Sequence, residues 1–200
     1  MDPGETSHKR GFSLLELIIA VTIIMILAAV TAPKMVSVIS DIKLRYSATD
    51  LAGLLQTCRM QAVRKNTFYG VQPTPLPQGN TGYFVNLNGA AYAAGDPLVV
   101  LGMATVISQG AGSGAPNEAA FLAGLGFITV AGAVVPSFNA RGLPCVPLAN
   151  TCPQIPGQGF VLFLQRTTPL GGARWAAVVV NASGRVQVWS CDTQGNWLQR

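Results

Sequence analysis

The 200 residues are 50% hydrophobic and only 10% charged, with a formal net charge of +5, which excludes a disordered chain and fits one folded domain plus a membranous segment. The lone His8 lies ahead of the long apolar segment, and beyond residue 11 the chain keeps six carboxylates and no imidazole. Without the usual general base, His-paired nucleophile or commonest metal ligand, the inventory argues against an enzyme and calls for no cofactor. Lys and Arg form no run longer than a pair, so charge alone identifies no partner.

In chain order, the first element is the apolar stretch: seventeen consecutive uncharged residues run from Leu17 to Pro33. A secretory signal peptide would use Lys9 and Arg10, an apolar run and a small-residue cleavage site near Ala28 to Ala32. Against it stand Glu16 inside the apolar region, a run longer than the roughly 7 to 15 residues of such signals, and Pro33 directly after Ala32. A plain membrane anchor from Phe12 to Ala32 fits better, since twenty-one residues make about 31 Å of helix, the thickness of the hydrocarbon core. It leaves Glu16 unexplained, at a cost of about 2.5 to 3.5 kcal/mol near the centre of a bilayer and less where the side chain snorkels to the headgroups.

The string KRGFSLLELIIAVTIIMILAAVTAP resembles the class III prepilin motif: a basic leader ending in Gly, then Phe, then Glu at the fifth position of the mature chain. Here these are Gly11, Phe12 and Glu16. The resemblance implies a leader over residues 1–11, cleavage between Gly11 and Phe12 by a prepilin peptidase, and N-methylation of Phe12. It further implies an inner-membrane, single-pass chain with cytoplasmic N-terminus and periplasmic head. Glu16 would pair with the Phe12 amine of a neighbouring subunit and set axial register when helices leave lipid for a filament.

After a membrane half over 12–32, apolar residues continue at helical spacing as Met35, Ile39, Ile42 and Tyr46, then Leu51, Leu55, Cys58 and Ala62. They predict an amphipathic periplasmic half over 33–66, stopping near Asn66, in an element about 80 Å long if unbroken. Pro33 and Gly53 are the expected bends.

Residues 67–200 read as a β-rich head. Strand-like runs cover Thr67–Val71, Tyr83–Leu87, Leu98–Ile107, Phe127–Phe138, Phe160–Gln165, Trp175–Val180 and Arg185–Trp189, separated by Gly, Pro and Asn. NASGR, residues 181–185, reads as a tight hairpin turn, and residues 109–126 as a mobile loop with room for a short helical turn. The predicted fold is α+β: a long N-terminal helix packed on an antiparallel, β-sandwich-like head, the pilin architecture.

The head carries its own resemblance. DLAGLLQTCRMQAVRKN is similar to the helix signature of the GspH/FimT family, with Arg59 and Ala62 matching and Cys58 where Ala is common. PSFNARGLP is similar to that family's Phe-Asn-x-x-Gly segment, and SGRVQVWSC to its Gly-Arg hairpin strand. The resemblance implies a minor pilin or pseudopilin near the tip of a type II secretion pseudopilus or type IV pilus. Its partners would be other pilin or pseudopilin subunits, with secreted cargo as a further one. It also implies an alternative as a DNA-binding accessory pilin for natural transformation, with Arg185 and Arg174 as candidate contacts. The Gly-Arg-x-Arg tail of some competence-linked members is incomplete here, because Gln187 follows Gly184, Arg185 and Val186, and one fewer phosphate contact weakens DNA affinity. The bland reading of Arg185 is a solvated residue beside a turn, and of Phe138, Asn139 and Gly142 a turn with its apolar anchor.

Four cysteines in an exported head suggest disulfides, with three connectivities open. Cys145 and Cys152 bracket a short Pro-containing loop that a bridge would staple, worth about 2 to 3 kcal/mol in the entropic account. Cys58 would then meet Cys191, or remain a small buried apolar residue on the helix. CVPLANTC is too widely spaced for zinc, and Asp96, Glu118 and Asp192 stand too far apart in sequence for a calcium loop.

Overall fold

A computed structural model describes residues 13–77, 81–87, 91–101, 105–130, 136–149, 151–168 and 171–200. Helix α1, Leu14–Lys65, is continuous through positions 33 and 53 and about 78 Å long. The hydroxyls in its apolar half bond back onto the helix. Thr22 donates to the Ile18 and Ile19 carbonyls, both at 2.8 Å, and Thr31 to the Leu27 carbonyl at 3.0 Å, so neither leaves an unsatisfied donor in apolar surroundings. The helix stops at Asn66, whose left-handed backbone (φ 49°, ψ 43°) lets Thr67 N–H reach back to the Ala62 carbonyl at 3.2 Å. Arg64 and Lys65 in the last turn complement the negative end of the helix dipole.

Two sheets flank the helix. In the first, β3 (Leu98–Val100), β2 (Thr81–Leu87), β1 (Tyr69–Pro75), β6 (Ser137–Phe138) and β7 (Pro144–Cys145) lie side by side. In the second the order is β11 (Trp197–Gln199), β10 (Val186–Cys191), β9 (Ala173–Val180), β8 (Gln158–Thr167) and β4 (Thr105–Gln109). All these pairings are antiparallel, and the short β5 (Ile128–Thr129) adds a parallel pairing to β8. One core joins helix and sheets: Leu51, Leu55 and Cys58 of α1 pack with Val71 and Val85 of the first sheet and Phe160, Leu162, Val178 and Val180 of the second. Along β9 the alternate set Trp175, Ala177 and Val179 faces the other way, into a second cluster under α2 (Glu118–Gly124) that includes Phe121 and Phe163. Both faces of β8 and β9 are therefore covered, which is why FVLFL and AAVVV are unbroken apolar runs.

The α+β architecture expected from the sequence is present, with four local corrections. Met35, Ile39, Ile42 and Tyr46 do not share the face of Leu51, Leu55, Cys58 and Ala62; Met35 and Tyr46 are each 66% exposed. The step from Tyr46 to Leu51 is five residues, about 140° around a helix at roughly 100° per residue, so the two groups lie on nearly opposite faces. The buried face instead runs back through Ala48, Ser47, Leu44 and Ser40. The run Leu98–Ile107 is divided between β3 and β4 in different sheets, and Phe127–Phe138 between β5 and β6. Residues 109–126 are an organised segment, not a loose loop. Glu118 accepts bonds from the N–H groups of Gly112 (2.6 Å) and Gly114 (3.1 Å) and from the Ser113 hydroxyl (2.9 Å), and α2 follows. Phe121 then stacks on Trp197, with ring centroids 4.4 Å apart.

Candidate assembly segment and head junction

The first half of α1 carries the candidate assembly residues. Gly11 and Phe12 lie outside the described residues. Glu16 is exposed in the first helical turn, where the positive end of the helix favours a carboxylate. Pro33 lies within the unbroken helix, at a position that cannot donate its own backbone bond. From Leu14 to Leu27 the large apolar side chains in this half are between 44% and 76% exposed. Burying such a side chain is worth about 1.5 to 3 kcal/mol. Eleven of them in water would be strongly unfavourable, so this half of the helix needs lipid or other helices around it. It is the one helix among the described residues long and apolar enough to cross a membrane. Side chains become buried only from Ser40 onward.

The second half is fixed to the head by a junction that the sequence did not announce. Arg59 donates from Nε to the Gly142 carbonyl at 2.9 Å, and Gly184 sits against the same carbonyl and the same guanidinium. Gly142 and Gly184 belong to two turns of one construction. In each, an Asn side chain accepts from the N–H groups two and four residues on: Asn139 from Arg141 (2.9 Å) and Leu143 (3.1 Å), Asn181 from Ser183 (3.1 Å) and Arg185 (2.9 Å). The Gly in fourth place has positive φ, 72° and 78° respectively, and donates to the Asn carbonyl at 2.8 Å in both. Asp192–Asn196 repeats the pattern, and the N–H and side-chain amide of Asn196 hold the Asp192 carboxyl below its ordinary range. Three segments distant in sequence thus meet at one point: the helix through Arg59, the middle turn through Gly142 and the hairpin through Gly184. The sequence marked the three segments and both turns separately, but nothing in it showed that Arg59 joins them.

Cys145 and Cys152 form a disulfide, with Cα atoms 5.3 Å apart. Cys58 and Cys191 do not pair; both are free thiols. The reason is strand parity. On β10, Val186 and Val188 face the helix while Trp189 and Cys191 face the cluster under α2, so Cys191 is on the opposite side of the sheet from Cys58. Burial pushes the Cys58 thiol up from an ordinary 9.0 to about 12. Burial, then the charge of Asp192, raises that of Cys191.

The structure does not bring Arg174 and Arg185 together. Arg174 is the second residue of β9, and Arg185 follows the turn at the strand's far end, roughly 20 Å away along a strand rising about 3.4 Å per residue. Arg174 also forms an ion pair with Asp41 of the helix at 3.1 Å. Arg185 is exposed, and the Arg59 junction sets it near Arg141, which is exposed beside Gly142. The isolated head carboxylates serve nearby groups: Asp96 accepts from Ala93 N–H at 2.8 Å, and Glu118 and Asp192 hold the turns described above.

Among known families, the model for the prokaryotic N-terminal methylation motif matches residues 6–32. No curated protein and no solved structure matches the chain. The motif implies processing by a prepilin peptidase and assembly with other pilin subunits, and the helix behind it is consistent with anchoring in the inner membrane. A prepilin methylation motif leading a helix apolar enough to span a membrane, itself packed on antiparallel sheets, supports a type IV pilin-like protein.

Proposed function

We propose that this chain is a minor pilin or pseudopilin of the GspH/FimT kind, cut between Gly11 and Phe12, methylated at Phe12 and assembled through α1 near the tip of a type II secretion pseudopilus or type IV pilus. The observation that carries the reading is the division of α1: residues 14–39 have no buried side chain among those described, and the buried face begins at Ser40. Such a helix waits for lipid before assembly and for neighbouring helices after it. The outward face carrying Met35, Ile39, Ile42 and Tyr46 extends this apolar surface alongside the head and gives neighbouring helices more to pack on. Glu16 supplies the one negative charge in the apolar half, and the α-amino group of Phe12 in an adjacent subunit is its natural partner. The convergence of three motif segments on Arg59 supports the GspH/FimT assignment. Glu16→Ala is expected to insert in the membrane as well as the parent chain while entering filaments at least about tenfold less, measured by co-purification with sheared filaments. Unchanged incorporation would contradict the charge-pair role.

A second reading, DNA capture during uptake, is favoured by one arrangement: exposed Arg141 and Arg185 beside Arg59, on turns at the end of the helix that also bears Arg64 and Lys65. Arg174 drops out of this group. Replacing Arg141 and Arg185 by Ala should lower the slope of log affinity against log salt by about 0.9 per lost phosphate contact on duplex DNA. Gel-shift titration of the full chain in detergent measures it. An unchanged slope would remove DNA as a partner of these residues.

A further inference from the structure

Helix α2 covers the aromatic cluster of the second sheet only in part. Its Phe121 meets three rings: it stacks on Trp197 at 4.4 Å and lies edge to face with Phe163 at 5.8 Å and Trp189 at 5.4 Å. Ala120 and Gly124, which flank Phe121 on the helix, are small and exposed, and a Cβ added at Gly124 would meet nothing within 4 Å. Trp189 and Trp197 of the β10–β11 hairpin are consequently only half-buried. Between helix and hairpin runs a cleft of about 350 Å³, within the roughly 300 to 1,000 Å³ of ligand clefts.

Its polar groups are few and of one kind. Neither indole N–H is available to a guest: Trp197 Nε1 donates to the Pro116 carbonyl at 2.8 Å, and Trp189 Nε1 is covered by protein. What the two rings offer the cleft is carbon. Beside them stand two amides whose nitrogens are spent on the protein, Asn117 Nδ2 on the Gly195 carbonyl at 3.0 Å and Asn196 Nδ2 on the Asp192 carboxylate at 3.1 Å. Each keeps an Oδ1 that accepts no hydrogen bond among the described residues. No charged side chain lines the cleft among the described residues; Asp192 borders the neighbouring one, beside Ala173, and at this distance only adds an acceptor for hydroxyls.

Aromatic carbon with amide acceptors at its side selects a guest that has a C–H face and hydroxyl donors around it. We propose that the cleft binds a neutral sugar, one pyranose ring lying against Trp189 and Trp197 with hydroxyls donating to Asn117 and Asn196. Sugar C–H groups are polarised by the adjoining oxygens, and their partial positive charge is drawn to the electron-rich ring faces. A purely apolar side chain would suit the indoles but leave both amide oxygens without donors, and a charged guest would find no counter-charge among the lining residues. The inference rests on the α2 cleft and does not depend on the pilin reading.

The test uses the full chain in lauryldimethylamine oxide, a detergent without a sugar headgroup, titrated with cellotriose and followed by tryptophan emission. The ring substituents of cellotriose are equatorial, so its C–H faces are flat. Saturable binding is expected with a Kd of about 1 mM. Gly124→Leu, whose side chain enters the open space, should weaken it at least about tenfold, and Gly124→Ala by less than about twofold. Two controls on the parent chain need no variant to fold: sorbitol, with the hydroxyls but no ring face, and acetyl-leucinamide, an apolar side chain, should each bind at least about tenfold more weakly than cellotriose. No saturable response at about 10 mM cellotriose, either control binding as tightly, or unchanged affinity in Gly124→Leu would each overturn the proposal.

Discussion

Cys58 carries the head's clearest chemical signature at the scale of one residue. It is 0% exposed between helix and sheets, and burial raises its thiol from 9.0 to about 12. Native protein at pH 8 should therefore leave Cys58 unlabelled by a thiol reagent while half-buried Cys191 reacts first, a comparison read by peptide mass after timed labelling. The folded state holds a proton that the unfolded chain gives up above about 9. The stability from the protonated thiol is thus fully present below about 9 and is lost as pH rises towards about 12. Equal labelling of both thiols in folded protein would contradict this burial. The Cys145–Cys152 bridge could be anticipated because a short loop brings its ends together whatever the surrounding fold. The fate of Cys58 and Cys191 could not be, because it depends on which face of β10 each odd-numbered residue takes.

Among the elements, the two Asn-led turns fix how the head sits on α1. A Cβ at Gly184 would run into the Gly142 carbonyl oxygen, part of the backbone, whereas a Cβ at Gly142 would meet Arg59 Nε at 3.0 Å, on a side chain able to shift. Both positions have positive φ. Gly142→Ala should cost about 1 to 2 kcal/mol and Gly184→Ala at least about 3 kcal/mol, compared by thermal unfolding in detergent. The reverse order would mean that the junction is looser than its geometry indicates. The turn at 181–185 was legible because Asn and Gly stand at fixed offsets between two β-branched runs. The burial of α1 was legible only from Leu51 onward, since the five-residue step after Tyr46 moves the stripe to another face. Helix α2 showed in the sequence only as a short helical turn within a loop, because EAAFLAG lacks a charged face and lies among glycines. What supports it is distant in sequence: the rings of Phe163, Trp189 and Trp197 around Phe121.

For the whole molecule, the uneven distribution of charge and apolar side chains made the fold class readable: one long uncharged run, then one helical stripe, then strands. How the strands divide between two sheets was not readable, because β-branched texture marks a strand without naming its neighbour; Leu98–Ile107 contributes to both sheets. The assembled picture is of a head clamped to residues 40–62 and a helix that projects beyond it with its apolar side chains uncovered. Under the proposed cut between Gly11 and Phe12, the N-terminus of the mature chain would lie inside its own anchor, and processing and assembly would depend on the same few residues. Mass spectrometry of the mature chain's N-terminal peptide, isolated from cells with prepilin peptidase, tests this most directly. The account predicts a peptide beginning at Phe12 with one methyl group on its α-amine, and an N-terminus at Met1, or a cut after the apolar run near Ala32, would contradict it.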